Sequence, residues 1–287
     1  MHKTIAHARG SRKARTGRPA GRRRALGQHF LAPGTIPDRL VRDLAPRPGE
    51  AILEVGPGRG ALTRGLLAAG ARVLAVEVDE RLAAALSPLF EQVAGARLVR
   101  ADLLRIDLPA LLHETFGAGP ARCLSSLPYS TGTAILERLC DAMPPLTEII
   151  VLLQKEVVDR AVAAPGTAAY GYLSVALRSR CAVRAGLRVR PGAFDPPPRV
   201  DSQALALTPL AHPPVPAAQR TSFLSLMGRL FAHRRKTLLN NLRAAGMGEA
   251  ALAAAASFGG PLRRPGEWSI EELAALYARL STAGALC

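Results

Sequence analysis

A short apolar run that ends in alternating glycines constrains the fold of this chain more than any other feature. Residues 52–55 have the composition of a buried strand, and the helical pattern of residues 61–69 follows almost at once. Between them lie three glycines, Gly56, Gly58 and Gly60. A strand that turns tightly into a helix brings the backbone close to a ligand and points the helix N-terminus at it. The unit predicts a site for a nucleotide-like cofactor, although the glycine spacing also fits the dinucleotide fingerprint.

An acidic residue lies at the end of each of the next two predicted strands. Glu77 ends the run 73–77, about twenty residues after the first glycine, where an acid accepts hydrogen bonds from both hydroxyls of a ribose. NAD and S-adenosylmethionine each contain such a ribose, so Glu77 leaves both cofactors open. Asp102 follows the run 97–101, where it can accept from the amino group of an adenine ring lying across the strand tips. This second acid favours the methyl donor.

A tetrapeptide after the fourth predicted strand, 121–125, indicates which reaction the site performs. It reads Ser126-Leu127-Pro128-Tyr129. A polar residue, an apolar one, a proline and an aromatic residue suit the methylation of a planar amino group: the polar side chain and nearby carbonyls accept from the amine, and the tyrosine stacks on the ring. A dehydrogenase has no use for this arrangement. We therefore expect a methyltransferase in which these four residues are catalytic.

The pattern from about residue 52 to 207 alternates strand with helix, which predicts a mostly parallel sheet covered on both faces. The expected strands are 52–55, 73–77, 97–101, 121–125, 147–153, 184–190 and 203–207. The expected helices are 61–69, 79–90, 131–141, 154–162 and 170–180. Only one glycine turn occurs in the sequence, which weighs against a dehydrogenase that binds a dinucleotide cofactor. The prediction is an α/β, Rossmann-like class I methyltransferase domain with a seven-stranded sheet, at residues 25–208.

A small helical domain is predicted after a Pro- and Ala-rich linker at residues 209–218. Its expected helices are 221–245, 249–257 and 269–283, so the domain spans residues 209–287. The first of these helices is strongly basic. Helical spacing places four of its polar residues on one face: Arg229, His233, Lys236 and Asn240. Because the helix also contains Arg234 and Arg235, we expect it to contact phosphates.

The net charge of +16 is concentrated at the N-terminus, where residues 1–24 contain many arginines and no acidic residue. Such a segment cannot bury a core and is expected to be disordered when free. It suits a basic arm for nucleic acid, which we favour over an organelle presequence or a solubilising tail. No run reaches the roughly eighteen apolar residues of a membrane helix. The scattered cysteines and histidines show no metal-ligand spacing, so no metal is expected.

These residues and several further motifs resemble the KsgA-type ribosomal RNA adenine dimethyltransferases, from residue 25 to 287. Besides Glu77 and Asp102, the motifs in chain order are Leu26-Gly27-Gln28-His29-Phe30-Leu31, Glu54-Val55-Gly56-Pro57-Gly58, Leu127-Pro128-Tyr129, Leu153-Gln154-Lys155-Glu156-Val157, Ala169-Tyr170-Gly171, Phe194-Asp195-Pro196-Pro197-Pro198-Arg199-Val200-Asp201-Ser202 and Phe231-Ala232-His233-Arg234-Arg235-Lys236-Thr237-Leu238. The resemblance implies a monomeric cytoplasmic enzyme that uses S-adenosylmethionine to convert two adjacent adenosines of small-subunit RNA, in an assembly particle, to N6,N6-dimethyladenosine.

The resemblance also assigns roles to residues. The implied cofactor residues are His29, Leu31, Gly56, Glu77, Asp102 and Ser126. The target adenine is expected to stack on Tyr129, within a pocket walled by Phe194 and the prolines after it. The implied RNA contacts outside the pocket are Arg234, Arg235 and Lys236.

Two positions depart from the family pattern, which has Asn at both His29 and Ser126. The second departure matters more, because that Asn is thought to accept from the target amine and so to turn the nitrogen lone pair toward the methyl group. Serine also offers an acceptor, but its oxygen lies closer to the backbone. Activity is therefore expected to be slower or to stop after one methyl. Two alternatives remain open: a non-catalytic ribosome-assembly factor and a macrolide-resistance-type methyltransferase of large-subunit RNA.

Overall fold

The computed structural model describes residues 29–143, 145–258 and 262–282. The predicted basic tail, residues 1–24, lies outside the described residues. The strands are β1 Phe30–Leu31, β2 Ala51–Val55, β3 Arg72–Glu77, β4 Arg97–Arg100, β5 Ala121–Ser126, β6 Leu146–Gln154, β7 Cys181–Val189, β8 Phe194–Asp195 and β9 Ser202–Pro209. The helices are α1 Thr35–Leu44, α2 Ala61–Ala68, α3 Glu80–Glu91, α4 Leu108–Phe116, α5 Gly132–Asp141, α6 Lys155–Val162, α7 Tyr172–Arg178, α8 Arg220–Ala232, α9 Leu238–Ala244, α10 Glu249–Ala256 and α11 Ile270–Thr282.

Seven strands form one sheet in the order β4-β3-β2-β5-β6-β9-β7. The strands β2 to β6 run parallel, and β9 is antiparallel to both of its neighbours. The predicted seven-stranded, mostly parallel sheet is confirmed. The short strands β1 and β8 pair with each other in a separate antiparallel ribbon, which was not predicted from the sequence.

The central strands are mainly apolar because helices cover both faces of the sheet. Successive residues of β2 alternate between the two cores: Leu53 packs in one, and Ile52 packs in the other. In β3, Leu74 and Val73 divide in the same way. Burial of both faces leaves the strand ends as the places where polar side chains can reach a ligand.

A third hydrophobic cluster holds the C-terminal helices together, around Phe223, Trp268 and Tyr277. It also includes Tyr170 and Val175, from the segment before and within α7. The Tyr170 hydroxyl donates to the Trp268 carbonyl at 3.0 Å. The C-terminal helices therefore share a core with the earlier part of the chain. Among the described residues, no helix combines the length and apolar character needed to cross a membrane.

The prediction of a single basic helix at residues 221–245 is wrong. The segment is divided into α8 and α9 by the loop 233–237. The Thr237 hydroxyl accepts from the Asn240 amide at 3.4 Å and so begins α9 as its N-cap. The buried Asn241 side chain donates to the carbonyls of His233, Lys236 and Thr237 at 3.1–3.2 Å, which holds the loop in place.

The prediction that four polar residues share one helical face is consequently wrong as well. Arg229 lies on α8, and Asn240 lies on α9. Between them, His233 and Lys236 belong to the loop, so helical spacing does not relate the four residues.

Candidate active site

A cleft of about 240 Å³ opens at the carboxyl ends of β2, β3, β4 and β5. The predicted site residues that line it are His29, Gly56, Glu77, Asp102, Ser126, Leu127, Pro128 and Tyr129. Leu31 lines a smaller recess between β1 and the glycine turn, and Ser126 borders both spaces. The topology thus brings together residues that are far apart in sequence.

The glycine turn needs glycine for its backbone conformation. Gly56, Gly58 and Gly60 have φ values of 66°, 58° and 76°, in the left-handed region that side chains disfavour. A Cβ on Gly56 would meet no protein atom within 4 Å, so the space beside this residue is open to a ligand. The α2 N-terminus follows directly, at Ala61. The turn therefore fits the backbone cradle that a nucleotide-like cofactor requires.

Glu77 is buried, with 3% of its surface exposed, at the end of β3. One carboxylate oxygen accepts from the Gly58 amide at 3.1 Å, and the other accepts from the Asp79 amide at 2.9 Å. Burial raises the pKa of Glu77, against the lowering effect of these backbone hydrogen bonds. Each oxygen keeps a second lone pair, so the carboxylate can still accept from ligand hydroxyls.

Asp102 lies just beyond β4 and is half-buried at the same end of the sheet. Its Oδ1 accepts from the Leu104 amide at 3.0 Å, and Arg105 Nε lies 3.4 Å from Oδ2. These local contacts hold the carboxylate at the wall of the cleft. It can accept from an amino group of a ring placed across the strand ends.

The β-strand alternation decides which serine faces the cleft. Ser125 is buried, and its Oγ accepts from the Val55 amide at 2.8 Å. Ser126, the last residue of β5, points the opposite way and lines the cleft. The Leu127 amide then donates to the Leu152 carbonyl at 3.1 Å, which fixes the chain direction into the Pro-Tyr segment.

Tyr129 forms the centre of an aromatic group beside Ser126. Its ring centroid is 5.3 Å from that of His29 and 6.5 Å from that of Phe194. Its hydroxyl lies 2.5 Å from the Oγ of buried Ser202. Burial raises the pKa of Tyr129, so the phenol stays neutral near pH 7. The ring is thereby held as an uncharged stacking surface for a planar base.

The structure adds two residues to the site: Ser202, which contacts Tyr129, and Glu54, which lines the recess beside the glycine turn. Neither residue was assigned a role from the sequence. Glu54 is fully buried within β2, and Thr63 Oγ1 donates to its carboxylate at 2.7 Å. Burial raises the pKa of Glu54 to about 8, and the neighbouring charge of Glu77 acts in the same direction. A carboxylic acid in an otherwise apolar buried strand was the available signal, since such groups are seldom buried without a purpose.

Glu54→Gln is expected to flatten the pH dependence of stability. The folded pKa of about 8 exceeds the ordinary value of 4.5, so the folded protein binds the proton more tightly. The wild type should therefore lose free energy of unfolding as the pH rises from about 5 to 8, because over this range Glu54 ionises in the unfolded chain but keeps its proton in the folded core. Urea unfolding across this range measures the difference, with exposed Glu91→Gln as the control. Parallel curves for wild type and Glu54→Gln would contradict the assignment.

The predicted RNA-binding residues lie away from the cleft, in the loop 233–237. Arg234 donates from Nη2 to the Ala168 carbonyl at 2.8 Å and also to the Tyr170 carbonyl. It therefore joins the loop to the segment before α7. In the part of the chain that the structure describes, the exposed side chains of Arg235 and Lys236 make no hydrogen bond or ion pair. These two cations are available to a partner.

Within residues 29–143, 145–258 and 262–282, no group of three or more His, Cys, Asp or Glu side chains could hold a metal ion. The donor set of the cleft consists instead of backbone amides, carboxylates and aromatic rings. That set fits an adenosine-containing cofactor, with acceptors for ribose hydroxyls and for an adenine amino group.

Comparisons with known proteins agree with this geometry. The family model described as ribosomal RNA adenine dimethylase matches residues 21–259. A protein of Geobacter metallireducens named ribosomal RNA small subunit methyltransferase A is 39% identical over 266 residues, 91% of this chain and 96% of that protein. One of the same name from Laribacter hongkongensis is 41% identical over 223 residues, 77% of this chain and 82% of that protein.

Solved structures show the same fold. A dimethyladenosine transferase from Plasmodium falciparum superposes with a TM-score of 0.75 at 20% identity, over 90% of this chain and 99% of that chain. The 23S rRNA methyltransferase ErmE gives a TM-score of 0.60 at 26% identity, over 88% and 99%. The resemblance inferred from the sequence motifs is confirmed. The chain belongs to the ribosomal RNA adenine dimethylase family, whose members are S-adenosylmethionine-dependent methyltransferases.

Proposed function

We propose that this chain transfers methyl groups from S-adenosylmethionine to N6 of two adjacent adenosines in small-subunit ribosomal RNA. The observation that carries the proposal is the single cleft in which the glycine turn, Glu77 and Asp102 lie beside Ser126 and Tyr129. A donor site and a base site share one space, as a direct transfer requires. The relatives named for small-subunit methylation support the choice of substrate.

The donor is assigned to the wall formed by β2, β3 and β4. The Gly56 backbone lies against it, Glu77 accepts from its ribose hydroxyls, and Asp102 accepts from its adenine amino group. His29, just before β1, and Leu31, within β1, close over it. When bound, S-adenosylmethionine supplies an electrophilic methyl group on a positively charged sulfur.

The chain's contribution to the chemistry is orientation of the target amine. In free adenine the N6 lone pair is delocalised into the ring and is a poor nucleophile. Ser126 Oγ and a neighbouring backbone carbonyl accept from the amine hydrogens, which turns the lone pair toward the methyl group. Tyr129 stacks on the ring, and the buried Phe194 supports Tyr129 from the side, with 6.5 Å between the two ring centroids. Two acceptors that aim the amine contribute more in this scheme than any general base.

Methyl transfer from labelled S-adenosylmethionine to purified ribosomal subunits tests the proposal. Label incorporated into small-subunit particles, at adjacent adenosines, is the expected result. Incorporation into large-subunit particles instead would favour the resistance-type activity of the ErmE-like proteins. Incorporation into neither would favour a ribosome-assembly factor without chemistry.

Glu77→Ala is expected to weaken donor binding by about 1–3 kcal/mol, because ribose hydroxyls would be left without an acceptor in a buried site. Isothermal titration calorimetry with S-adenosylmethionine measures the change. Glu80→Ala removes a neighbouring carboxylate that is exposed and pairs with Arg100, and it should bind the donor as the wild type does. Equal affinity of Glu77→Ala and wild type would exclude the ribose assignment.

RNA recognition is assigned to the helical domain at residues 209–287 and to the basic tail. In the helical domain the proposed contacts are Arg234, Arg235 and Lys236. Arg235 and Lys236 are free to reach phosphates, whereas Arg234 orients the loop through its bonds to the segment before α7. The proposed enzyme acts as a monomer in the cytoplasm, where ribosomal particles assemble.

The double variant Arg235→Ala/Lys236→Ala is expected to make RNA binding less dependent on salt. Each phosphate contact contributes about 0.9 to the slope of log affinity against log salt in duplex and about 0.7 in single strands, so the slope should fall by about 1.4–1.8. Binding to small-subunit particles at several salt concentrations measures it, with unchanged donor affinity as the control. Deletion of residues 1–24 should lower the slope separately. An unchanged slope in both variants would mean that these basic residues are solvated surface.

A further inference from the structure

Arg59 lies in the glycine turn, between Gly58 and Gly60, and the cofactor assignment gives it no role. Its guanidinium is centred 4.7 Å above the Phe30 ring. It also forms an ion pair with Asp195, at 2.6 Å between Nη1 and Oδ2. One side chain of the donor turn thus contacts both short strands, β1 and β8.

Those two strands form a small flap, defined as residues 29–32 with residues 193–196. Phe30 pairs with Asp195, and Leu31 pairs with Phe194. The Ala32 amide donates to the Ala193 carbonyl at 2.8 Å, and His29 Nδ1 lies 2.8 Å from the Pro196 carbonyl. The flap therefore carries residues of both proposed sites: His29 and Leu31 of the donor site and Phe194 of the base pocket.

The flap rests directly on the glycine turn. A Cβ built on Gly58 would come within 3.0 Å of Phe30 Cδ1, closer than such contacts normally occur. The Phe30 ring, the turn and Ser126 also border the same recess. A change in the position of the turn is consequently transmitted to the flap through Phe30 and Arg59.

We propose that Arg59 is a positioning residue that fastens the flap to the donor turn and so couples donor binding to the order of the base-pocket wall. The proposal rests on the function proposed above. The Arg59 and Asp195 side chains are 45% and 65% exposed, so water and salt screen their attraction. The ion pair is accordingly expected to contribute little by itself, beside the contact of the guanidinium with the Phe30 ring.

Amide hydrogen exchange in the donor-free protein tests whether the Arg59–Asp195 contact holds the flap in place. Arg59→Gln and Asp195→Asn should each speed amide exchange in residues 30–32 about two- to five-fold, the range expected for loss of an exposed ion pair. In the wild type, high salt should speed the same amides, whereas the variants should respond little. The control is Arg39→Gln, which removes another exposed pair, with Asp43 at 2.7 Å, and should leave these amides unchanged. Wild-type exchange rates in both flap variants would overturn the proposal.

Calorimetry with S-adenosylmethionine tests the coupling. Arg59→Gln and Asp195→Asn should each weaken donor affinity about two- to five-fold. The double variant should lose no more donor affinity than the single variant that has the larger loss. Additive losses, or no loss, would overturn the coupling. Absence of donor binding by the wild type would instead contradict the proposed function, while the exchange experiment still reports on the Arg59–Asp195 contact.

Discussion

Tyr129→Ala is expected to lower kcat/KM for small-subunit particles by about 5- to 150-fold, because base stacking on an aromatic ring contributes about 1–3 kcal/mol. The ring stands between His29 and Phe194, and its hydroxyl is anchored on Ser202. Removing it takes away the surface on which the target adenine would lie. Donor affinity should change little, since Glu77 and Asp102 lie at the ends of β3 and β4, away from Tyr129.

Tyr129→Phe separates stacking from anchoring. This variant keeps the ring and loses only the contact with Ser202, so its loss of activity should be smaller than that of the alanine variant. Steady-state kinetics with particles, beside calorimetry with the donor, make the comparison. If the alanine variant methylates as fast as the phenylalanine variant, the target base does not stack on residue 129.

The central sheet could be predicted because its inner strands β2, β3 and β6 are largely buried and appear in the sequence as mainly apolar runs. Two helices escaped prediction, α1 and α4. Each has a proline in its first turn, Pro37 in α1 and Pro109 in α4, where the missing amide costs no helical hydrogen bond. Asp107 caps α4 by accepting from the Ala110 amide at 3.1 Å. Proline in these segments lies at the start of a helix, although proline in the interior of a helix would break it.

The loop 233–237 could not be predicted from helical spacing. The residues on both sides of it have the periodicity of one helix, and no proline or glycine marks the break. The break after α8 is stabilised by the side chain of Asn241, a residue of α9, which donates to three carbonyls of the loop. That arrangement depends on tertiary packing that buries Asn241, and sequence periodicity does not report it.

The assembly of the candidate site was predictable at the strand ends and unpredictable at the flap. Glu77, Asp102 and Ser126 lie at the ends of parallel strands, and the carboxyl ends of such strands meet at one edge of the sheet. By contrast, Arg59 and Asp195 are 136 positions apart, and Tyr129 and Ser202 are 73 apart. No local pattern relates such pairs, so their contacts appear only in the folded chain.

Ser126→Ala is expected to lower the rate of methyl transfer about 10²- to 10³-fold, the usual cost of losing one hydrogen bond aimed at a transition state. The strand alternation that buries Ser125 turns Ser126 into the cleft, where its hydroxyl is the proposed acceptor for the target amine. Without it, one amine hydrogen loses its partner and the lone pair is no longer directed at the methyl group. Donor affinity should be affected less, because the glycine turn and both acids remain.

Ser126→Asn is expected to hold or raise the rate, most of all for the second methylation. An amide oxygen stands farther from the backbone and reaches the amine directly, where serine depends on a closer approach or a bridging water. Once the first methyl has been added, a single amine hydrogen remains, so the position of its acceptor decides whether the second transfer occurs. Mass analysis of the RNA product measures mono- and dimethyladenosine for the wild type and both variants. Identical yields from all three would exclude Ser126 from the chemistry, and activity that appears only in Ser126→Asn would mean that serine at this position has silenced the enzyme.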